Sequence, residues 1–311
     1  MTTSTAGTAA PRATTATAAR TPRTAARTSA TGAVSLRRHR RRHPVAHVLV
    51  YALCLIWVFP IYWMVNTSFK TPADIQSTTP QFFPHPFSVV NYINALTKAG
   101  FVSSLVNSLI ITLGTVVVSI VLGFLAAAAL TRFRFAGRKA ILISIICVQM
   151  IPGTALLIPL FLSFKSLGLL NSYGGLILAY VASVLPFSIW VLRSFFVALP
   201  DEIEEAAKVD GASTFRILRS IYFPLVLPGL ISTSVFAFIN GWNDFITAYV
   251  MLQDQSKYTL PVWLVSFSTN EGTDYGGLIA ASVLFSLPVV IFFMIVQRNL
   301  VTGMSSGAVK G

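Results

Sequence analysis

The chain has 311 residues, of which 54% are hydrophobic and only 11% are charged, and its formal net charge is +13. Soluble globular proteins carry roughly 25% charged residues, so this composition excludes an ordinary soluble enzyme. A nucleic-acid binder is also disfavoured, because nine of the 23 Lys and Arg residues precede residue 43 and the remainder of the chain is close to neutral. We therefore predict a membrane protein with a basic N-terminal segment and no nucleic-acid partner.

Residues 1–43 are rich in Thr, Ala and Arg and poor in large apolar side chains, which predicts a disordered tail that touches anionic lipid. An Arg-rich transit peptide has a similar composition and is a less favoured alternative, as is a nucleic-acid arm. His39, His43 and His47 are spaced like metal ligands on one helix face. Pro44 interrupts that helix and no Cys or carboxylate is near, so a metal site is disfavoured.

Charge-free segments locate the membrane spans, because a charge at the bilayer centre costs roughly 2.5–3.5 kcal/mol and about 20 apolar residues cross the hydrocarbon. One long charge-free segment, 75–97, contains several prolines and amides and is predicted to be a loop. The others predict an all-α polytopic membrane protein. Its six predicted spans are 45–66, 105–130, 140–163, 175–196, 229–251 and 276–297.

The distribution of Lys and Arg orients these spans. With a cytoplasmic N-terminus, 19 of the 23 bases lie on the cytoplasmic side and four lie outside. Basic loops stay in the cytoplasm, so both termini are predicted to be cytoplasmic. The predicted organisation is a tail at 1–43, a first transmembrane helix at 44–66, an external loop at 67–100, a five-helix domain at 101–298 and a cytoplasmic tail at 299–311.

The loop 199–224 contains half of the acidic residues of the chain. Pro200 suits a first helical position, and the acids that follow it favour the start of a helix. Gly211 favours a left-handed end to that helix, and Ser213 or Thr214 can cap a second one. A lipid-bound amphipathic helix is the alternative, but it would need a larger apolar face and a basic polar face. We predict two cytoplasmic helices whose slim bend lets another protein approach.

Several residues of this loop are spaced as in a known motif. Glu205-Ala206-Ala207, Gly211, Ile221 and Phe223-Pro224 resemble the EAA loop of ABC-importer permeases, whose pattern ends in Leu-Pro. The resemblance implies a type I permease fold and coupling helices that dock on a separate ATPase subunit. The residues that it assigns to this coupling are Glu205, Ala206, Ala207, Asp210, Gly211, Ile221 and Pro224.

Shorter sequence matches narrow the resemblance to the carbohydrate-uptake branch of the family, similar to the smaller maltose-type permease. It implies a bacterial plasma-membrane protein that pairs with a homologous permease, an ABC ATPase dimer and an extracellular or lipid-anchored sugar-binding protein. The matching segments are Thr71-Pro72-Ala73-Asp74-Ile75, Asn91-Tyr92, Met150-Ile151-Pro152, Ile158-Pro159-Leu160-Phe161, Trp242-Asn243-Asp244-Phe245 and Thr259-Leu260-Pro261.

The sequence contains no Gly-x-x-x-x-Gly-Lys-Ser/Thr phosphate loop, and its cytoplasmic segments are too short for a nucleotide-binding domain. We expect no enzymatic activity and no cofactor in this chain, with ATP and Mg bound by the partner ATPase. The acids at 201–210 could be taken for a catalytic carboxylate pair, but capping and docking are favoured because the loop faces solvent.

Polar residues inside the predicted spans are candidates for the translocation path. Amides, a carboxylate and an indole are suited to hydrogen-bond and stack on a sugar. Interhelical hydrogen bonds, worth about 0.6 kcal/mol each, are the alternative explanation. A carrier driven by an ion gradient, with Asp244 as its coupling site, is the alternative function, although inverted halves with matching breaks are lacking. The candidates are Gln149, Asn240, Trp242, Asn243 and Asp244.

Overall fold

The computed structural model describes the backbone of residues 44–307 and the side chains of residues 47–297. The predicted tail at 1–43, with its His39 and His43, lies outside the described residues, as do residues 308–311. The chain divides into two units, Met1–Tyr51 and Ala52–Gly311. The described part of the first unit is helical and belongs to the helix Pro44–Ser68, and the packing and the sites described below lie in the second unit.

The described residues form helices, most of them joined by short connections, with a longer one at 76–89. The helices are α1 (Pro44–Ser68), α2 (Pro72–Ile75), α3 (Val90–Thr97), α4 (Phe101–Arg132), α5 (Arg138–Gln149), α6 (Leu157–Ser166), α7 (Tyr173–Val197), α8 (Asp201–Val209), α9 (Thr214–Ile217), α10 (Phe223–Leu225), α11 (Leu227–Asn243), α12 (Ile246–Met251), α13 (Leu260–Leu264) and α14 (Tyr275–Gly307). A π turn occupies Leu218–Tyr222, and 3₁₀ turns occupy Gly153–Leu156, Gln255–Lys257 and Val265–Phe267. Two antiparallel strands, β1 (Ser268–Thr269) and β2 (Gly272–Thr273), pair Ser268 with Thr273.

Four helices, α1, α4, α7 and α14, are long and apolar enough to cross a bilayer without interruption. Two further crossings form if each of two bent pairs is one span. These are Arg138–Gln149 with Gly153–Ser166, bent by 97°, and Thr214–Leu225 with Leu227–Asn243, bent by 75°. The predicted all-α polytopic fold is confirmed for the described part of the chain.

Two predicted spans are not continuous helices. Within 140–163, α5 ends at Gln149 just before Pro152, whose ring disfavours a helical conformation in the residue before it. The predicted span at 229–251 is interrupted in its second half. There α11 ends at Asn243 because Asp244 has an extended backbone, with ψ 123°, and α12 starts afresh at Ile246.

Helix α4 lies at the centre of the packing, against α7 and α11, while α14 packs on α3 and α11. The buried face of α4 is rich in small and hydroxyl side chains, which let membrane helices approach closely. A Cβ added at Gly123 would lie 3.3 Å from a methyl of Leu192 on α7, so little space separates the two helices. The buried small and polar residues of this face include Ser104, Ser108, Thr112, Thr115, Ser119 and Gly123.

Loops that the charge bias places on the same side of the membrane contact one another. On the predicted cytoplasmic side, Arg132 at the end of α4 reaches Asp201 at the start of α8. On the predicted external side, the Asn171 N–H donates to the Met251 carbonyl at 2.9 Å. The packing is therefore consistent with the alternating direction of the predicted spans.

Candidate functional site

The loop between α7 and α11 begins with helix α8, which has acids in its first turn where the helix dipole favours them. Pro200 precedes the helix as its N-cap, one position earlier than predicted. At the other end the N–H groups of Gly211 and Ala212 donate to the carbonyls of Lys208 and Ala207 at 3.0 and 2.9 Å, a Schellman motif. Gly211 has a φ of +75°, so its predicted left-handed conformation is confirmed.

A second helical segment follows the bend. The Ser213 hydroxyl accepts the N–H of Arg216 at 3.4 Å, so Ser213 and not Thr214 is the cap. The segment then widens into the π turn, directly before Pro224. Because proline has no N–H to donate, a regular α-helical ladder cannot pass through this point. The chain turns by 75° at Val226 and enters α11.

The loop packs onto the ends of α4 and α7 through a buried apolar cluster. Ala207, Ile217 and Tyr222 contribute its loop side, and Phe124 and Phe196 contribute its helix side. The rings of Tyr222 and Phe196 meet edge to face, with centroids 5.4 Å apart. The loop is therefore bound to the transmembrane helices over both of its helical segments.

Arg132 fastens the start of α8 to the end of α7. Its Nη2 donates to the carbonyls of Phe196 and Leu199, both at 2.9 Å, and its Nη1 pairs with the Asp201 carboxylate. The guanidinium also lies 5.1 Å from the centre of the Tyr222 ring, within cation–π range. Sequence reasoning missed this role, since an Arg just after an apolar span serves equally well as a topology signal.

Glu204 links the two halves of the loop. It accepts a hydrogen bond from the Tyr222 hydroxyl and pairs with Lys208 at 2.7 Å. Burial alone would raise the pKa of Glu204, but hydrogen bonds from Lys208 and Tyr222 outweigh it and hold that pKa below its ordinary value. This contact therefore stabilises the loop fully when the pH is above the ordinary carboxyl pKa. The stabilisation is lost as the pH falls through the lowered pKa of Glu204.

The outer side of the loop, which we call the coupling surface after its predicted role, presents Glu205, Ala206, Asp210 and Gly211 to solvent. Of the other predicted coupling residues, Pro224 is exposed, Ile221 is half-buried and Ala207 packs inward. Sequence reasoning missed two apolar members of this surface. Val209 is 88% exposed and Phe215 is 72% exposed, and a surface with such residues around a glycine bend suits protein contact.

Three of the predicted path residues are on the surface of the chain. Gln149 is exposed where α5 breaks, and Asn240 and Asn243 are exposed on α11. Both asparagine amides donate within their own helix, to the carbonyls of Phe236 and Ile239 at 2.8 and 2.9 Å. These two side chains remain candidates for contact with a solute, since both are exposed while their NH₂ groups are held by α11.

Trp242, another of the predicted path residues, differs from these three in its surroundings. It is fully buried, it stacks between Phe238 and Phe285, and its Nε1 donates to the Phe285 carbonyl at 3.2 Å. The indole therefore fills the core between α11 and α14 and is not available to a sugar in this conformation.

Asp244 connects three helices at the break between α11 and α12. One carboxylate oxygen accepts the Tyr180 hydroxyl of α7 at 3.0 Å and the Ala248 N–H at 3.1 Å. The other accepts the Thr247 hydroxyl at 3.0 Å. This arrangement satisfies the prediction that the carboxylate has partners inside the bundle, and it accounts for the end of α11.

Replacing Asp244 with Ala is expected to lower the thermal stability of the protein, because the loss leaves buried donors unpaired at about 1–3 kcal/mol each. Asp244→Asn keeps one carbonyl oxygen for Tyr180 and Ala248 and should retain most of the stability and transport. Gln253→Ala, which is exposed and is not one of the predicted path residues, is the control. Thermal stability is measured by heating the detergent-solubilised protein and following the remaining folded fraction by size-exclusion chromatography. Transport activity is measured in parallel as solute uptake. Full stability of Asp244→Asn with complete loss of uptake would instead favour the ion-coupled carrier.

The family model for "Binding-protein-dependent transport system inner membrane component" matches residues 119–306, which include the coupling surface and both bent helix pairs. The chain belongs to this family. It is therefore a multi-pass component of a bacterial inner-membrane transport system that depends on a binding protein, and a transporter permease rather than an enzyme.

Characterised relatives are similar over most of this permease. The diacetylchitobiose uptake system permease protein DasC of Streptomyces coelicolor is 39% identical over 265 residues, 85% of this chain and 96% of that protein. The trehalose transport system permease protein SugB of Mycobacterium tuberculosis is 33% identical over 266 residues, 85% of this chain and 94% of that protein. A chain of the crystal structure of a bacterial ABC transporter that imports alginate is 26% identical, with a TM-score of 0.74 over 82% of this chain and 95% of that one.

Proposed function

We propose that this permease is a subunit of an ATP-driven importer of a di- or oligosaccharide. It would form the translocation path with a homologous permease, receive the sugar from an extracellular or lipid-anchored binding protein, and couple to two copies of an ABC ATPase that bind ATP and Mg. The sugar class rests on the relatives named for diacetylchitobiose and trehalose, which share about a third or more of their residues with this chain.

The observation that carries the coupling role is the construction of the loop at 199–224. Its inner side is bound to α4 and α7 by the apolar cluster and by Arg132, while its outer side exposes a glycine bend with Val209 and Phe215. A contact that transmits force requires firm attachment to the transmembrane helices on one side. It also requires an exposed surface on the other side that a second protein can bind. A loop bound only to lipid would need no such attachment to the helix ends.

In the proposed mechanism the ATPase dimer closes on ATP and displaces the coupling surface. Because Arg132 joins α8 to the ends of α4 and α7, the displacement would move these helices as one body. The paired permeases would then open toward the outside, accept the sugar, and return to the inward-facing state on hydrolysis. The carrier alternative is disfavoured, since the chain belongs to a family of binding-protein-dependent transport components.

Purification of the tagged permease from its native membranes tests this proposal. We expect an ATPase and a second permease to co-elute, and the reconstituted complex to take up maltose, trehalose or diacetylchitobiose only with ATP and the binding protein. A lone chain that takes up solute in response to a proton gradient would contradict the proposal. A matched preparation that carries Val209→Asp on the coupling surface should insert normally but lose the ATPase, because a charge replaces an apolar contact.

A further inference from the structure

A concave site lies at the predicted external end of the helices and shares no residue with the coupling surface. It is a cavity of about 390 Å³, and we call it the external pocket. Gly100 and Ser103 at the start of α4 form one wall, Tyr249 of α12 another, and the segments 255–258 and 262–266 complete it. Its volume falls within the roughly 300–1,000 Å³ of small-molecule sites.

Seven of the eleven residues that line the external pocket are aromatic, hydroxyl-bearing or amide-bearing, and the other four, Ala99, Gly100, Val262 and Val265, are small or aliphatic. Three aromatic rings contribute, from Tyr249, Tyr258 and Trp263, and no lining residue is charged. Aromatic faces attract the partly positive C–H groups of a sugar ring, and hydroxyl and amide groups exchange hydrogen bonds with its hydroxyls. The hydroxyl and amide residues are Ser103, Gln255, Ser256 and Ser266.

The walls of the external pocket are held in place before any ligand arrives. The Asn107 amide, buried in α4, donates to the carbonyls of Ser256 and Tyr258 at 2.9 and 3.0 Å. The Tyr173 hydroxyl donates to the other end of that amide at 2.7 Å, which ties the same segment to α7. A site fixed in this way loses little conformational freedom on binding.

The floor of the external pocket depends on a glycine. Gly100 has a φ of +87°, and a Cβ at this position would lie 3.1 Å from Cδ1 of Trp263. The absence of a side chain lets the indole pack here and donate from its Nε1 to the Ala99 carbonyl at 2.9 Å. The opposite wall is supported by Phe245, whose ring stacks on Tyr249 at 5.4 Å.

We propose that the external pocket binds one uncharged ring of the transported saccharide outside the membrane-spanning path. This inference rests on the proposed function and adds a carbohydrate site within this subunit. Lipid is disfavoured as the occupant, because an acyl chain would form no hydrogen bond with the hydroxyl and amide groups of this lining. The absence of charged lining residues suits a neutral sugar better than an anionic one.

Binding of the transported sugar to the assembled transporter, in nanodiscs without binding protein or nucleotide, tests the proposal. The probe is whichever of maltose, trehalose and diacetylchitobiose supports uptake, followed by saturation-transfer NMR and titration. We expect saturable binding that Tyr249→Ala and Ser103→Leu each weaken by about tenfold or more, since one removes a ring and the other fills the cavity. Tyr275→Ala is the matched control, because Tyr275 is as exposed as Tyr249, at 54%, but lies outside the pocket.

Three results would overturn the proposal. The first is a lack of saturable binding by the transported sugar, and the second is equal binding by the pocket variants and the control. The third is absent sugar binding together with loss of ATPase stimulation by the binding protein in the pocket variants, which would make the pocket a docking site for that protein. None of these resembles failure of the proposed function, in which the unaltered complex shows no ATP-dependent uptake at all.

Discussion

Replacing Gly211 with proline is expected to abolish ATP-dependent uptake while the protein still inserts into the membrane. Gly211 has a φ of +75°, whereas proline is held near −65°, and its N–H bonds the Lys208 carbonyl at 3.0 Å, a donor that proline lacks. The end of α8 must therefore rearrange at a cost of about 3 kcal/mol or more. Since the exposed bend belongs to the coupling surface, we expect stimulated ATPase activity to fall by about tenfold or more. A loss of only about 1.4 kcal/mol of contact free energy already corresponds to a factor of ten.

Gly168 provides a matched control on the predicted external side. Its φ is +68°, its N–H donates to the Lys165 carbonyl at 3.2 Å, and the next N–H closes the same Schellman pattern. Gly168→Pro therefore suffers the same backbone conflict away from the ATPase and should keep most of the ATPase stimulation. Both variants are measured for membrane content, uptake and ATPase activity. Normal sugar-stimulated ATPase in Gly211→Pro would refute the coupling role of this bend.

Replacing Arg132 with methionine is expected to separate the coupling loop from the transmembrane helices. Methionine fills a similar space but donates no hydrogen bond, so the carbonyls of Phe196 and Leu199 lose their donor at about 1–3 kcal/mol each. The exposed Asp201 loses a partner at much smaller cost, because water solvates it. We expect uptake to fall by about tenfold or more, with ATP hydrolysis less dependent on sugar and binding protein.

Limited trypsin digestion of inside-out vesicles measures this separation directly. In Arg132→Met, cleavage after Lys208 and Arg216 should be faster than in the unaltered protein, while total membrane-inserted protein stays constant. Arg132→Lys should restore little, because an ammonium cannot serve the same three acceptors as the planar guanidinium. Arg134→Met, two residues further along and exposed, is the control. Unchanged digestion and coupled uptake in Arg132→Met would show that the loop is held by its apolar cluster alone.

Local features of the coupling loop were predictable because they depend on neighbouring residues. A run of acids after a proline begins a helix, a glycine ends it, and a serine caps the next, and α8, Gly211 and Ser213 follow that order. The π turn was not predicted, since nothing in Leu218–Tyr222 distinguishes it from an α-helical turn. Its position directly before Pro224 becomes meaningful only in the structure.

The surroundings of the predicted translocation-path residues could not be derived from the sequence, because they depend on distant partners. Asp244 was expected to have partners in the bundle, and the structure supplies Tyr180, which is 64 residues earlier in the chain. Trp242, two residues away, looked equally suited to a sugar, yet it packs against Phe238 and Phe285. Trp242 and Asp244 therefore have different partners although they are two residues apart, and their residue types do not reveal which partners each one has.

The amino-acid sequence by itself determined the membrane class, the approximate spans, the bias of basic residues and the coupling motif, because these follow from charge, length and local spacing. Only the tertiary structure decided which apolar faces pack together, where α11 ends, how Arg132 holds the loop and that distant segments enclose the external pocket. The physical reason is that a transmembrane helix is apolar on its lipid-facing and its protein-facing sides alike. Hydrophobic periodicity, which locates the buried face of a soluble helix, therefore carries little information here.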